Sequence, residues 1–139
     1  MRPIIRLLAP LALLLAMLLP AGGATAAPAQ TERTETFVFQ FNTCNGEFVA
    51  GDGIFHTVFK PQKDGGFIAH FNINATGAGN QGNEYVMNWV GKSRFVPSPS
   101  DFSFQERFLA ISKGSAPNQV IISRFDGDGI PTFEVECRG

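Results

Sequence analysis

Residues 44–76 read CNGEFVAGDGIFHTVFKPQKDGGFIAHFNINAT. The second half of this stretch decides the fold. Phe67, Ala69, Phe71, Ile73 and Ala75 share one face, while His70, Asn72, Asn74 and Thr76 share the other. A period of two over this length is the mark of a half-buried antiparallel strand. Before it, Glu47 to Lys60 forms another long strand, joined to the first by the turn Pro61-Gln62-Lys63-Asp64-Gly65-Gly66. Gly51-Asp52-Gly53 interrupts the earlier strand and predicts a bulge or a sharp bend. The stretch opens on Cys44, one of two cysteines; the other, Cys137, stands close to the C-terminus.

The same pattern continues outward in both directions. Glu35 to Asn42 alternates Phe37, Phe39 and Phe41 against Val38 and Gln40, and Asn42-Thr43-Cys44-Asn45-Gly46 turns the chain into the next strand. Asn-Gly accepts the positive φ that tight hairpins require. A Gly/Asn loop at 77–83 precedes Glu84 to Val96, where Tyr85, Met87, Trp89 and Phe95 share a face. Pro97-Ser98-Pro99-Ser100 ends that strand. Phe102 to Lys113 and Gln119 to Phe125 follow, separated by Gly114-Ser115-Ala116-Pro117-Asn118. After Asp126-Gly127-Asp128-Gly129 the chain finishes with Thr132 to Arg138, placing Phe133, Val135 and Cys137 together. No segment has a helical period. Short strands separated by regular turn signals indicate an all-β barrel or sandwich.

The first residues belong to a different kind of segment. Met1-Arg2-Pro3-Ile4-Ile5-Arg6 is basic, Leu7 to Leu19 is apolar, and Ala24-Thr25-Ala26 supplies small residues. This three-part layout predicts a secretory signal peptide over 1–26, bacterial in style, cleaved after Ala26. A membrane anchor needs about 18 unbroken apolar residues, and Pro10 interrupts this run. The mature chain is then expected to be extracellular, without a transmembrane segment, with a flexible lead-in over 27–34 and one β domain over 35–139. Cleavage removes Arg2 and Arg6, so the mature domain is more acidic than the full chain, whose formal charge is −1. That balance argues against a nucleic-acid or anionic-lipid partner. All 14 phenylalanines lie beyond residue 36, ample material for a core.

Two cysteines in an exported chain most often pair. A Cys44–Cys137 bridge closes nearly the whole domain, and chain entropy assigns it at most about 4–5 kcal/mol. The bridge also limits the strand count. If 47–60 were two strands, an eight-strand meander would set the cysteines at opposite ends, beyond the roughly 7 Å that a disulfide spans. With 47–60 as one bulged strand, the count is about seven and the cysteines meet. The expected architecture is a small antiparallel up-and-down barrel in which 132–138 pairs with 47–60 and 35–42 is an extra strand at the seam. A β-sandwich with the same seam is the alternative.

In Cys44-Asn45-Gly46-Glu47 and the closing Glu136-Cys137-Arg138, the chain resembles a group of small exported actinobacterial proteins of unknown function. They share a signal peptide, a CNGE-like opening to a long strand, Gly-rich hairpins and a C-terminal Cys-Arg. The resemblance implies a secreted β domain and brings no activity with it.

Residues that could carry chemistry are sparse. His56 and His70 lie on separate strands, with neither a third ligand nor a carboxylate at a spacing that guarantees convergence. No serine stands in a Gly-x-Ser-x-Gly context. Asp126-Gly127-Asp128-Gly129 resembles a calcium-loop fragment, but position 12 of such a loop falls on Cys137, so a hairpin turn is the better reading. Asn74-Ala75-Thr76 matches a glycosylation sequon, of little weight behind a bacterial signal. No metal, cofactor or catalytic residue is therefore assigned, and the chain is read as non-enzymatic. If the barrel is hollow, Phe67, Phe71, Tyr85, Met87, Trp89 and Phe95 would line it and receive a small apolar ligand. The preferred expectation is that the phenylalanines plug it.

Strand 47–60 is apolar on both faces, with Phe55 and Phe59 against Ile54 and Val58. Its outer face therefore needs a cover, from a loop or a second copy of the chain. The sequence thus ranks an extracellular or envelope interaction scaffold first. A carrier of a small apolar ligand, lipocalin-like in architecture only, comes second, and an enzyme last.

Overall fold

A computed structural model describes residues 27–96, 102–127 and 129–139. The expected signal peptide, the Pro97-Ser98-Pro99-Ser100 turn and Asp128 lie outside the described residues. The chain forms β1 (Gln30–Asn42), β2 (Glu47–Pro61), β3 (Phe67–Gly79), β4 (Glu84–Phe95), β5 (Ser103–Ser112), β6 (Asn118–Asp126) and β7 (Thr132–Arg138). Every neighbouring pair is antiparallel and the order in the sheet is the order in the chain. The turns use glycine where φ is positive: Gly46, Gly65, Gly82 and Gly127. β1 starts at Gln30, earlier than the expected Glu35, and pairs with β2 along its whole length.

The sheet curls so that one face is concave. Directly paired residues point the same way, so the register sorts every side chain. The concave face carries Val38 and Gln40 from β1, Glu47, Val49, Phe55 and Phe59 from β2, and the Phe67–Ala75 series from β3. β4 adds Tyr85, Met87 and Trp89; β5 adds Phe104, Glu106 and Phe108; β6 and β7 add Gln119, Ile121, Phe133 and Val135. The alternation expected for β3, β4 and the last strand is therefore present, on one common face.

Gly51 and Gly53 do not make a bulge. The β1–β2 and β2–β3 registers run through them one for one. A Cβ on Gly51 would collide with the Thr76 carbonyl, and one on Gly77 with the Ala50 carbonyl. These glycines let adjacent backbones close up on the concave side, where side chains would crowd, and so allow the sheet to coil sharply without an extra residue.

Among the described residues the sheet is clasped at one end only. Cys44 and Cys137 form a disulfide with Cα atoms 5.5 Å apart, joining the β1–β2 turn to the end of β7. The Gln119 amide meets the Thr43 hydroxyl at 2.8 Å, and Asn42 Nδ2 donates to the Pro117 carbonyl at 3.2 Å. Below this clasp no ladder connects β1 to β7: the expected pairing of 132–138 with 47–60 is not formed. β1 occupies the edge of β2 instead, and β7 pairs with β6 alone. All seven residues of β7 are exposed, as is β1 from Gln30 to Glu35. The disulfide requires the two ends to meet at a point and asks nothing of the rest of the seam. Charges on these free edges (Glu32, Arg33, Glu134, Glu136) discourage stray strand pairing.

The core sits towards the clasp, where Val38, Val49, Ala75, Tyr85, Met87, Phe108 and Ala110 are buried together. Full burial of Met87 alone removes apolar surface worth about 2 kcal/mol. Further down, aromatic rings tile the concave face in two tiers. Phe55, Phe71, Trp89 and Phe108 form the upper one, with successive centroids 6.1, 5.8 and 6.1 Å apart. Phe59, Phe67, Phe95, Phe102 and Phe104 form the lower one, in which Phe67 stacks on Phe95 at 4.5 Å. Phe37, Phe39, Phe41 and Phe48 point outward and are exposed, so they contribute nothing to filling the interior.

Candidate functional site

Two polar constellations occupy the concave side, and they differ in how well they are satisfied. The first is at the clasp. Glu47 is fully buried there because β2 begins inside the ring of turns. Its carboxylate accepts from Tyr85 Oη at 2.7 Å, Asn45 Nδ2 and Asn83 Nδ2 at 3.0 Å, and the Gln81 backbone N–H at 2.9 Å. Burial pushes its pKa up, but the four hydrogen bonds outweigh that and hold it down at about 2. Tyr85 Oη also receives Asn45 Nδ2 at 2.9 Å. Burial, and then the bond to Glu47, raise the pKa of the Tyr85 hydroxyl. A charge so completely surrounded has no free valence for a ligand. It ties the β1–β2 and β3–β4 turns to the start of β4.

The second constellation lies between the tiers of rings and the open seam. A cavity of about 300 Å³ is lined by Gln40 of β1, Trp89 of β4, Glu106 and Phe108 of β5, Ile121 and Ser123 of β6, and Phe133 of β7. Gln40 and Phe133 bring the two unjoined edges to it, and Trp89 and Phe108 of the upper aromatic tier line it. Glu106 is placed by its register opposite Gly91 and Ser123. Both the Phe71 ring and the Glu106 side chain lie over Gly91, which has no Cβ to hold them off. The Trp89 indole lines the same hollow as the Glu106 carboxylate, two residues from Gly91 along β4. Burial raises the pKa of Glu106, and the neighbouring Trp89 indole N–H offsets this only in part.

Charge is segregated between the two faces. Among the described strands, the register puts Arg33, Lys60, Lys92, Arg94, Arg107, Arg124 and Arg138 on the convex side. The concave side carries only acids: Glu47, Glu106 and, on the overhang of β1, Glu32. No cation of the described strands therefore faces Glu106.

Of the residues expected to line a cavity, Trp89 does so and Phe71 abuts it edge-on. Tyr85 and Met87 are fully buried in the core beneath the clasp. Phe67 and Phe95 stack on each other near the open end and are about a third exposed. His56 and His70 both face the convex side, away from Glu106. The pKa of His70 is lowered by partial burial and by the flanking Lys60 and Lys92. Among the described residues no group of three His, Cys, Asp or Glu could hold a metal ion.

Sequence reading missed Gln40, Phe108, Ile121, Ser123 and Phe133 as cavity residues, and it missed Glu106. A signal for it exists. In Phe104-Gln105-Glu106-Arg107-Phe108-Leu109-Ala110, the series Phe104, Phe108, Ala110 defines an inward face, and Glu106 is the one charge on it.

Compared with known protein families, curated proteins and solved structures, the chain matches none of them.

Proposed function

We propose that this is an exported, non-enzymatic binding protein that carries a small apolar ligand on the concave face of its sheet. The observation that carries the reading is the cavity beside Trp89, bordered by two strand edges that the fold leaves unjoined. A hollow that sets Trp89, Phe108, Phe133 and Ile121 beside a few placed polar groups suits a small organic molecule. The Cys44–Cys137 bridge suits an oxidising compartment outside the cytoplasm. Among the described residues no helix is long and apolar enough to cross a membrane.

Trp89 is the only tryptophan of the chain, so its fluorescence reports on the cavity directly. The neutral probe N-phenyl-1-naphthylamine is expected to quench Trp89 saturably with one site per chain. Filling the hollow with Ile121→Phe or Ser123→Phe is expected to weaken probe binding at least tenfold while thermal unfolding stays cooperative. Binding that neither substitution affects would place the ligand elsewhere and defeat the reading.

A second reading, an extracellular or envelope interaction scaffold, is favoured by a different observation. Phe37, Phe39, Phe41 and Phe48 form an exposed ladder on the convex face, with Phe48 5.4 Å from Phe39 and 4.8 Å from Phe41. An aromatic patch of this kind commonly marks a protein contact. If a second copy covers it, sedimentation velocity shows a dimer that Phe39→Ser/Phe48→Ser converts to monomer. A monomer at all concentrations removes self-association.

A further inference from the structure

We infer that the concave cavity selects ligands that carry an ammonium group on an apolar body. This rests on the carrier reading above and names the chemical class of its ligand. Glu106 provides the carboxylate, and Trp89, Phe108, Phe71 and Phe133 provide ring faces and edges around it. A cation is attracted both to a carboxylate and to the π-faces of Trp and Phe, and desolvation strengthens both attractions.

The electrostatic argument is one of omission by the fold. The neighbours of Glu106 on the concave side are Gly91 on β4, Ser123 on β6, and Phe104 and Phe108 on its own strand. Across the hollow stand Gln40 and Phe133. None is cationic, and the register turns Lys92, Arg107 and Arg124 to the opposite side of the sheet. Among the described residues the Trp89 indole is the one donor group that acts on this carboxylate. Four donors surround Glu47, so the same chain satisfies one concave carboxylate completely and leaves the other wanting. A carboxylate accepts at about four positions, so Glu106 has capacity for an incoming N–H donor. Gln40 and Ser123 add neutral hydrogen-bonding groups to the cavity wall. An anionic ligand would meet Glu106 with no compensating cation, and is excluded by like charge.

The test uses three probes of one shape: 2-phenylethylamine, 2-phenylethanol and phenylacetate, titrated at pH 7 against Trp89 fluorescence in the intact, oxidised protein. The amine is expected to bind at least tenfold tighter than the alcohol, and phenylacetate weakest of the three. Glu106→Gln is expected to bring the amine down to the affinity of the alcohol. Glu84→Gln, which removes an exposed carboxylate paired with Lys113, is expected to leave the preference intact. Equal binding of amine and alcohol would overturn the inference while the carrier reading stood. A preference that survives Glu106→Gln would overturn the role of this carboxylate. If neither these probes nor N-phenyl-1-naphthylamine binds, the carrier reading fails and the inference falls with it.

Discussion

Replacing both cysteines, Cys44→Ser with Cys137→Ser, is expected to lower the free energy of unfolding by about 3–5 kcal/mol. The bridge spans 93 positions, so its loss releases nearly the whole domain to explore open conformations in the unfolded state. In the folded state it is also the only covalent tie between the first turn and the last strand. Without it, the clasp depends on the Thr43–Gln119 and Asn42–Pro117 contacts, and net hydrogen bonds contribute only about 1 kcal/mol each. For a domain of this size the loss corresponds to a fall in Tm of about 12–20 °C. Urea unfolding of the double variant beside the oxidised protein measures it. A difference below about 1 kcal/mol would mean that the clasp holds by other means.

Glu47→Ala is expected to cost nearly as much, about 3–4 kcal/mol, although no charged partner is lost. The substitution strands Tyr85 Oη, Asn45 Nδ2, Asn83 Nδ2 and the Gln81 N–H around a void. Each buried donor left without an acceptor costs about 1–3 kcal/mol, reduced where water enters. The same site predicts a pH dependence. The folded pKa is about 2, below the ordinary 4.5, so the native state favours the ionised form. Its contribution is therefore fully present above about pH 4.5 and is lost as pH falls through 2. Stability curves of wild type and Glu47→Ala between pH 6 and pH 2 are expected to converge at the acid end. Parallel curves would show that Glu47 is not the titrating group.

Much of this architecture is legible in the chain because burial on one face writes alternation directly into the sequence. Phe67 to Ala75 and Tyr85 to Trp89 declare their inward sides without further help. The disulfide is legible too, since two cysteines leave one pairing. What misleads is aromatic content on its own. Phe37, Phe39 and Phe41 alternate as cleanly as any inward series, yet it is Val38, Gln40 and Asn42 that face the core. Periodicity shows that a strand has two different sides, not which of them is inside. Gly51-Asp52-Gly53 misleads differently: in one dimension a glycine that permits a bulge and one that permits close approach look alike. Net charge is the third case. It sums over both faces, and so hides a sheet whose described cations all lie on the convex side while the concave side carries acids alone.

The single clasp also determines how the seam behaves under thermal motion. β1 and β7 both run towards the disulfide, so the two edges resemble the arms of tweezers joined at the tip of each strand. β7 is seven residues long, a lever of about 23 Å at the usual rise per residue. Rotating it by about 10° about the pinned end, carried with the β6 strand to which it stays paired, displaces its free end by roughly 4 Å without breaking a hydrogen bond between β1 and β7, because none exists there. Access to Trp89 and Glu106 is thereby separated from the integrity of the core above them: the mouth can widen while the ring of turns around Glu47 stays shut.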